Sequence, residues 1–108
     1  MAQWLQVARA EDMPSGTIVR VEGDGDPIAV ASLNGEVYAV SDLCTHMEVE
    51  LHEGELDTTD GELTCPAHGA KFDIRSGEVL GPPAFEDLTT YPVQVEDGVV
   101  YVSDEPAE

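Results

Sequence analysis

The stretch from Cys44 to Phe72 constrains this chain more than any other. It reads Cys44-Thr45-His46, then 18 residues, then Cys65-Pro66-Ala67-His68-Gly69. Both cysteines and two of the three histidines of the protein fall within it. Each end therefore offers one thiolate and one imidazole, two or three positions apart. Thiolate and imidazole are both good iron ligands. Two such mixed tips facing each other can close a pair of irons from both sides, with two Cys on one iron and two His on the other. Cys44, His46, Cys65 and His68 are the candidate metal and cofactor ligands, and the cofactor they suit is one [2Fe-2S] cluster.

Two other uses of the same residues stay open on spacing alone. A Cys₂His₂ set can hold zinc, although zinc fingers usually pair Cys with Cys and His with His. Two cysteines can also form a disulfide or lie buried as inert apolar residues. A zinc-stabilised interaction module is thus the alternative from a different class.

The rest of the chain reads as short strands between turns. Gln3 to Val7 and Thr17 to Glu22 are strand-like, with Trp4 a core or edge anchor. Ala8 to Met13 has room for one helical turn, ended by Pro14-Ser15-Gly16. Gly23-Asp24-Gly25-Asp26-Pro27 is a turn cluster. Asn34-Gly35 between the apolar runs 28–33 and 36–40 predicts a type I′ hairpin, and Asp97-Gly98 predicts another between 88–96 and 99–102. Glu62-Leu63-Thr64 forms a short strand that delivers Cys65. Residues 71–74 and 78–80 flank a tight turn at Arg75-Ser76-Gly77. Gly81-Pro82-Pro83-Ala84 cannot join a central strand, and 103–108 is an acidic, frayed end. Helical periodicity is almost absent. The fold class is all-β: an antiparallel β-sandwich or barrel base with a smaller inserted cluster-binding subdomain. One domain spans 1–108, with the base at 1–40 and 84–108 and the insert at 41–83.

Charge narrows the partners. Twenty-three acids face four bases, for a net charge of −19. Phosphate binding needs clustered Lys and Arg, so nucleic acid is excluded as a partner. Seven acids lie between His46 and Cys65 and no base does. Such a surface suits steered encounters with a basic patch on another protein. No apolar run reaches the ~20 residues of a membrane span. Residues 1–4 lack the basic and apolar regions of a signal peptide. Two metal-claimed cysteines fit a reducing compartment, so a cytoplasmic monomer with no membrane contact is expected. His52 stands among acids with no Cys at ligand spacing and reads as a surface or partly packed residue.

Cys44-Thr45-His46 with Cys65-Pro66-Ala67-His68-Gly69 resembles the Rieske motif. Chain length, the strand-rich flanks and Gly81-Pro82-Pro83 resemble the small Rieske-type ferredoxins of bacterial ring-hydroxylating dioxygenase systems. The resemblance implies that Cys44 and Cys65 bind the inner iron and His46 and His68 the outer one. It implies that the Gly-Pro-Pro segment shields the cluster. It also implies an electron carrier, not an enzyme, that links a flavin-containing ferredoxin reductase to a terminal oxygenase. A Rieske carrier for a nitrite reductase or cytochrome P450 system is the alternative within the same class. High-potential relatives have an extra cysteine in each loop, paired as a disulfide; the matching positions here are Val49 and Ala67. They also place a Ser and a Tyr after the second ligand His, where this chain has Ala70 and Phe72. The expected potential is therefore low for a Rieske centre. No phosphate loop, nicotinamide fingerprint or separate 2-His-1-carboxylate iron site accompanies the motif.

Overall fold

A strand with no exposed residue is the spine of the structure. The computed structural model describes residues 4–22, 27–43, 50–66, 69–81 and 86–105. Ten strands occur among them: β1 (Trp4–Arg9), β2 (Ile18–Val21), β3 (Ile28–Leu33), β4 (Glu36–Ser41), β5 (Glu55–Asp57), β6 (Glu62–Thr64), β7 (Lys71–Asp73), β8 (Thr90–Tyr91), β9 (Val93–Glu96) and β10 (Val99–Ser103). They form three antiparallel sheets, ordered β1-β10-β9, β2-β3-β4-β8 and β5-β6-β7. Two single 3₁₀ turns, Ala10–Asp12 and Leu51–Glu53, are the only helical pieces among the described residues. The all-β expectation holds.

All six residues of β3 are buried. A strand whose two faces are both covered loses the polar alternation of a half-exposed one. Its side chains still alternate between faces. Ala29, Ala31 and Leu33 enter one core with Leu51, Leu63, Cys65, Phe72 and Ile74. Ile28 and Val30 enter the other with Met13, Tyr91, Val100 and Val102. β4 follows the same rule, with Val40 on the first side and Ala39 on the second. The middle sheet is therefore a wall between two cores. The sheet β1-β10-β9 contributes to one core, and β5-β6-β7, which leads to Cys65, contributes to the other. The segment leading to Cys65 thus shares its core with β3 and β4.

The turn signals place the hairpins well. Asn34 and Gly35 have φ of +49° and +88°, and Asp97 and Gly98 have +51° and +76°, as a type I′ turn requires. Glu62–Thr64 is a strand as expected. Other expectations are corrected. The run 88–96 is not one strand: Pro92 divides it, and β8 pairs with β4 while β9 pairs with β10. Proline has no N–H for a ladder, so the chain changes sheets there. Ala8 and Arg9 extend β1 and leave only one 3₁₀ turn for the expected helical piece. Residues 78–80 form no strand; Val79 makes a single bridge to Phe72. Glu55–Asp57 is a strand that its acids concealed. Ser103 is not frayed but buried at the end of β10, and its hydroxyl accepts the Glu105 N–H at 3.2 Å. Of the two readings of Trp4, the edge one holds: it lies on an edge strand and is half exposed, outside the core. Gln3, the turn 23–26 and the terminus 106–108 lie outside the described residues.

The small side chains on one face of β3 set how closely the ligand-bearing sheet can approach. Ala31→Leu should destabilise the fold by about 1–3 kcal/mol through overpacking, read as a lower midpoint in urea unfolding.

Candidate functional site

Cys65 sits where β6 ends. Its N–H donates to the Ala70 carbonyl at 2.7 Å, and Gly69 N–H donates back to the Cys65 carbonyl at 3.2 Å. These bonds continue the β6–β7 ladder past its last pair, Thr64 with Lys71. The second ligand tip is thus a hairpin loop closed by backbone. Gly69 has φ of +78°, the left-handed region open to glycine. Cys65 is a free thiol with 2% of its surface exposed, while its neighbours Pro66 and Gly69 are exposed. The tip therefore stands at the surface with its sulfur turned inward.

A concavity of about 430 Å³ opens beside the thiol, lined by Glu53, Gly54, Glu55, Thr64, Pro66 and Gly69 around Cys65. Gly54 makes the close approach possible. A Cβ at that position would collide with the Thr64 carbonyl oxygen, immediately before Cys65. Two carboxylates and no cation stand among these lining residues. Ala70 and Phe72, at the positions where a Ser and a Tyr would supply hydroxyls, are both fully buried. Neither side chain can donate a hydrogen bond.

Cys44, His46 and His68 lie outside the described residues, as do Val49, Ala67 and the segment 82–85. What is described is the root of the first tip. Leu43 and Glu50 form a bridge, so the chain enters and leaves 44–49 at adjacent points. Asp42, fully buried, stands just before that bridge. Its carboxylate accepts the His52 N–H at 2.7 Å and lies 2.7 Å from His52 Nδ1. Arg20 Nε is 3.5 Å from the same carboxylate, and Arg20 also pairs with Glu50 at 3.0 Å and Glu22 at 2.9 Å. His52 is therefore partly packed, as expected, but its partner is a buried acid that motif reading overlooked. The available signal was weak: an Asp two residues before Cys44, the one His left unassigned and one of only four cations. The ends of the Gly-Pro-Pro segment are tied as well. Leu80 N–H donates to the Lys71 carbonyl at 2.7 Å, and Val79 N–H to Asp87 Oδ1 at 2.9 Å.

Comparison with known proteins places this geometry. Residues 3–92 match the Rieske [2Fe-2S] domain. The chain belongs to the Rieske family. A [2Fe-2S] cluster is accordingly its cofactor, and the free, buried Cys65 thiol beside an open concavity fits that group. The disulfide and zinc readings fall away. The naphthalene 1,2-dioxygenase/salicylate 5-hydroxylase ferredoxin component of a Ralstonia species is 37% identical over 94 residues, covering 87% of this Rieske chain and 88% of that protein. The 3-phenylpropionate/cinnamic acid dioxygenase ferredoxin subunit of Escherichia coli K12 is 40% identical over 92 residues, covering 84% of each. Among solved structures, the ferredoxin in a complex of reduced oxygenase and oxidized ferredoxin of carbazole 1,9a-dioxygenase superposes with a TM-score of 0.92 and 38% identity. That match covers 97% of this chain and 96% of the other.

Gly54→Ala tests the close approach next to the thiol. The added methyl has no room against the Thr64 backbone, so the variant should lose about 1–3 kcal/mol of stability. Urea unfolding that matches the unmodified protein would contradict the packing described here.

Proposed function

We propose that this protein is the ferredoxin component of a ring-hydroxylating dioxygenase system. It takes single electrons from a flavin-containing, NAD(P)H-dependent reductase and delivers them to a terminal oxygenase in the cytoplasm. The observation that carries this reading is the end-to-end likeness to ferredoxins named as parts of such systems, at 37–40% identity. The match covers 87% of this chain and 88% of the Ralstonia protein, and 97% of this chain in the carbazole dioxygenase complex.

Cys44 and Cys65 would hold one iron, and His46 and His68 the other. The cluster, once bound, supplies a reversible one-electron store, with imidazoles raising its potential above that of an all-cysteine centre. The chain's own residues do the rest. The backbone-closed loop from Cys65 to Ala70 fixes the second tip at the surface. The insert 41–83 carries the site, and the base 1–40 with 84–108 supports it. Tied at both ends, the Gly81-Pro82-Pro83 segment would limit water access to the site, since prolines restrict motion without adding donors.

Residues around the site favour a low potential. Ala70 and Phe72 withhold the hydroxyl donors that would stabilise a more negative, reduced centre. Glu53 and Glu55 add negative charge on the same side, which also disfavours reduction. The expected potential lies near the low end of the Rieske range, about −150 mV. A net charge of −19 would steer the protein toward basic partner surfaces.

Three measurements test the proposal. Anaerobically purified protein should show a [2Fe-2S] spectrum and become EPR-active on reduction, and His46→Ala with His68→Ala should abolish both. Reconstituted with a flavin reductase, NADH and a ring-hydroxylating oxygenase, it should be required for turnover; a reduced protein that passes no electrons to the oxygenase would defeat the reading. Ala70→Ser with Phe72→Tyr should raise the potential. A hydrogen bond to a charged group is worth about 1.5 kcal/mol, and a tenfold one-electron change is about 59 mV. Two added donors should therefore register in voltammetry as a rise of up to about 120 mV, and no change or a fall would refute it.

A further inference from the structure

We propose that the polar network of Arg20 and His52 around the buried Asp42 carboxylate is the positioning device for the first ligand tip. The inference rests on the assignment of Cys44 and His46 as cluster ligands. Neither Arg20 nor His52 belongs to the ligand motif, and Asp42 precedes it by two residues.

Asp42 is anchored through every polar group it has. Its N–H donates to the Pro27 carbonyl at 2.9 Å, and its carbonyl accepts the Leu51 N–H at 2.6 Å. Oδ1 accepts the His52 N–H, and Oδ2 faces both His52 Nδ1 and Arg20 Nε. Arg20 extends the network to Glu50, the residue at which the chain returns from 44–49. Through its backbone Asp42 ties the entry to β3 to the chain around the first tip, and through its carboxylate it ties β2 to the chain coming out of that tip.

Stability alone does not account for this arrangement. Burying a carboxylate costs free energy unless it is fully partnered. Well-packed apolar residues in place of a buried ion pair are often neutral or stabilising. What such a network supplies is one defined geometry, because each partner accepts only one placement of the others.

The two tips differ in how their roots are closed. The second is continued by the β6–β7 backbone ladder, through the Cys65 and Ala70 pair. At the first, one isolated bridge, Leu43 with Glu50, is the only strand pairing among the described residues. Side chains make up the difference there. Slack at that root would pass directly to Cys44 and His46, since six residues separate the two anchored ends. Groups that hold metal ligands in place from behind are known to change metal affinity about 10–100-fold when removed.

The experiment compares Asp42→Ala, Asp42→Asn, His52→Ala and Arg20→Gln with the unmodified holoprotein. Arg75→Gln is the control. It removes a bond to the Asp60 carbonyl at the opposite end of the ligand-bearing sheet. The readouts are the rate of cluster bleaching by an iron chelator and the EPR spectrum after reduction. Unmodified protein without a [2Fe-2S] spectrum would mean that the ligand assignment fails, a separate result from failure of the network. With the cluster present, Asp42→Ala should bleach about 10-fold faster and give a shifted or broadened EPR signal. Asp42→Asn, which keeps an acceptor for the His52 N–H, should recover much of the difference. Bleaching and EPR unchanged in a folded Asp42→Ala would overturn the proposal, as would Arg75→Gln bleaching equally fast. Should Asp42→Ala fail to fold or load, Arg20→Gln and His52→Ala decide, because those side chains are partly exposed, at 34% and 25%. Unmodified behaviour in both would then overturn it.

Discussion

Burial of β3 on both faces is the constraint from which the other features follow. With no side of the strand facing water, each face must meet its own core, and the chain has to supply two covering layers. The outer sheet β1-β10-β9 covers the face with Ile28 and Val30. Residues leading to Cys65 cover the face with Ala29 and Ala31. The division of side-chain size suits that arrangement. β-Branched residues fill space against the larger sheet, and alanines admit the short strands β6 and β7. The Cys65 thiol is itself a member of this core, so its position depends on β3 and β4 as well as on its own strand.

Much of this was legible in the sequence. Asn34-Gly35 and Asp97-Gly98 specify their hairpins locally, because a type I′ turn needs two residues that tolerate positive φ. Glu62-Leu63-Thr64 was readable because Leu63 points inward between polar neighbours. The errors came where local signals compete. Pro92 was visible, yet a run of β-formers on both sides suggested one strand. Only the pairing of β8 with β4 and of β9 with β10 shows that the chain crosses between sheets. Glu55–Asp57 has one half-buried leucine between acids, a pattern equally at home in a loop. Ser103 reads as a polar end, but its burial is fixed by Trp4 across the ladder and by the Pro92 carbonyl.

The site divides in the same way. Spacing and chemistry single out Cys44, His46, Cys65 and His68 as the candidate ligands, since mixed thiolate and imidazole tips have few other uses. The supporting network was invisible to that reasoning. Arg20, Asp42 and His52 are distant in sequence, share no motif and individually look like surface charges. Their meaning lies in the full burial of Asp42, which only three-dimensional packing reveals. Belonging to the Rieske family accounts for the cofactor; it is the packing of this chain that explains why an arginine on β2 reaches the root of a loop far along the sequence.

A shared core also limits how freely such a site could be moved between proteins. Cut out at its ends, the segment bearing Cys65 would present Leu51, Leu63, Phe72 and Ile74 to solvent as a bare apolar sole. A host scaffold would have to offer a strand floored with alanines in matching register, and a cation placed to meet Asp42. The cluster cradle is thus no detachable cassette: lineages that exchange it would have to exchange the neighbouring sheet with it.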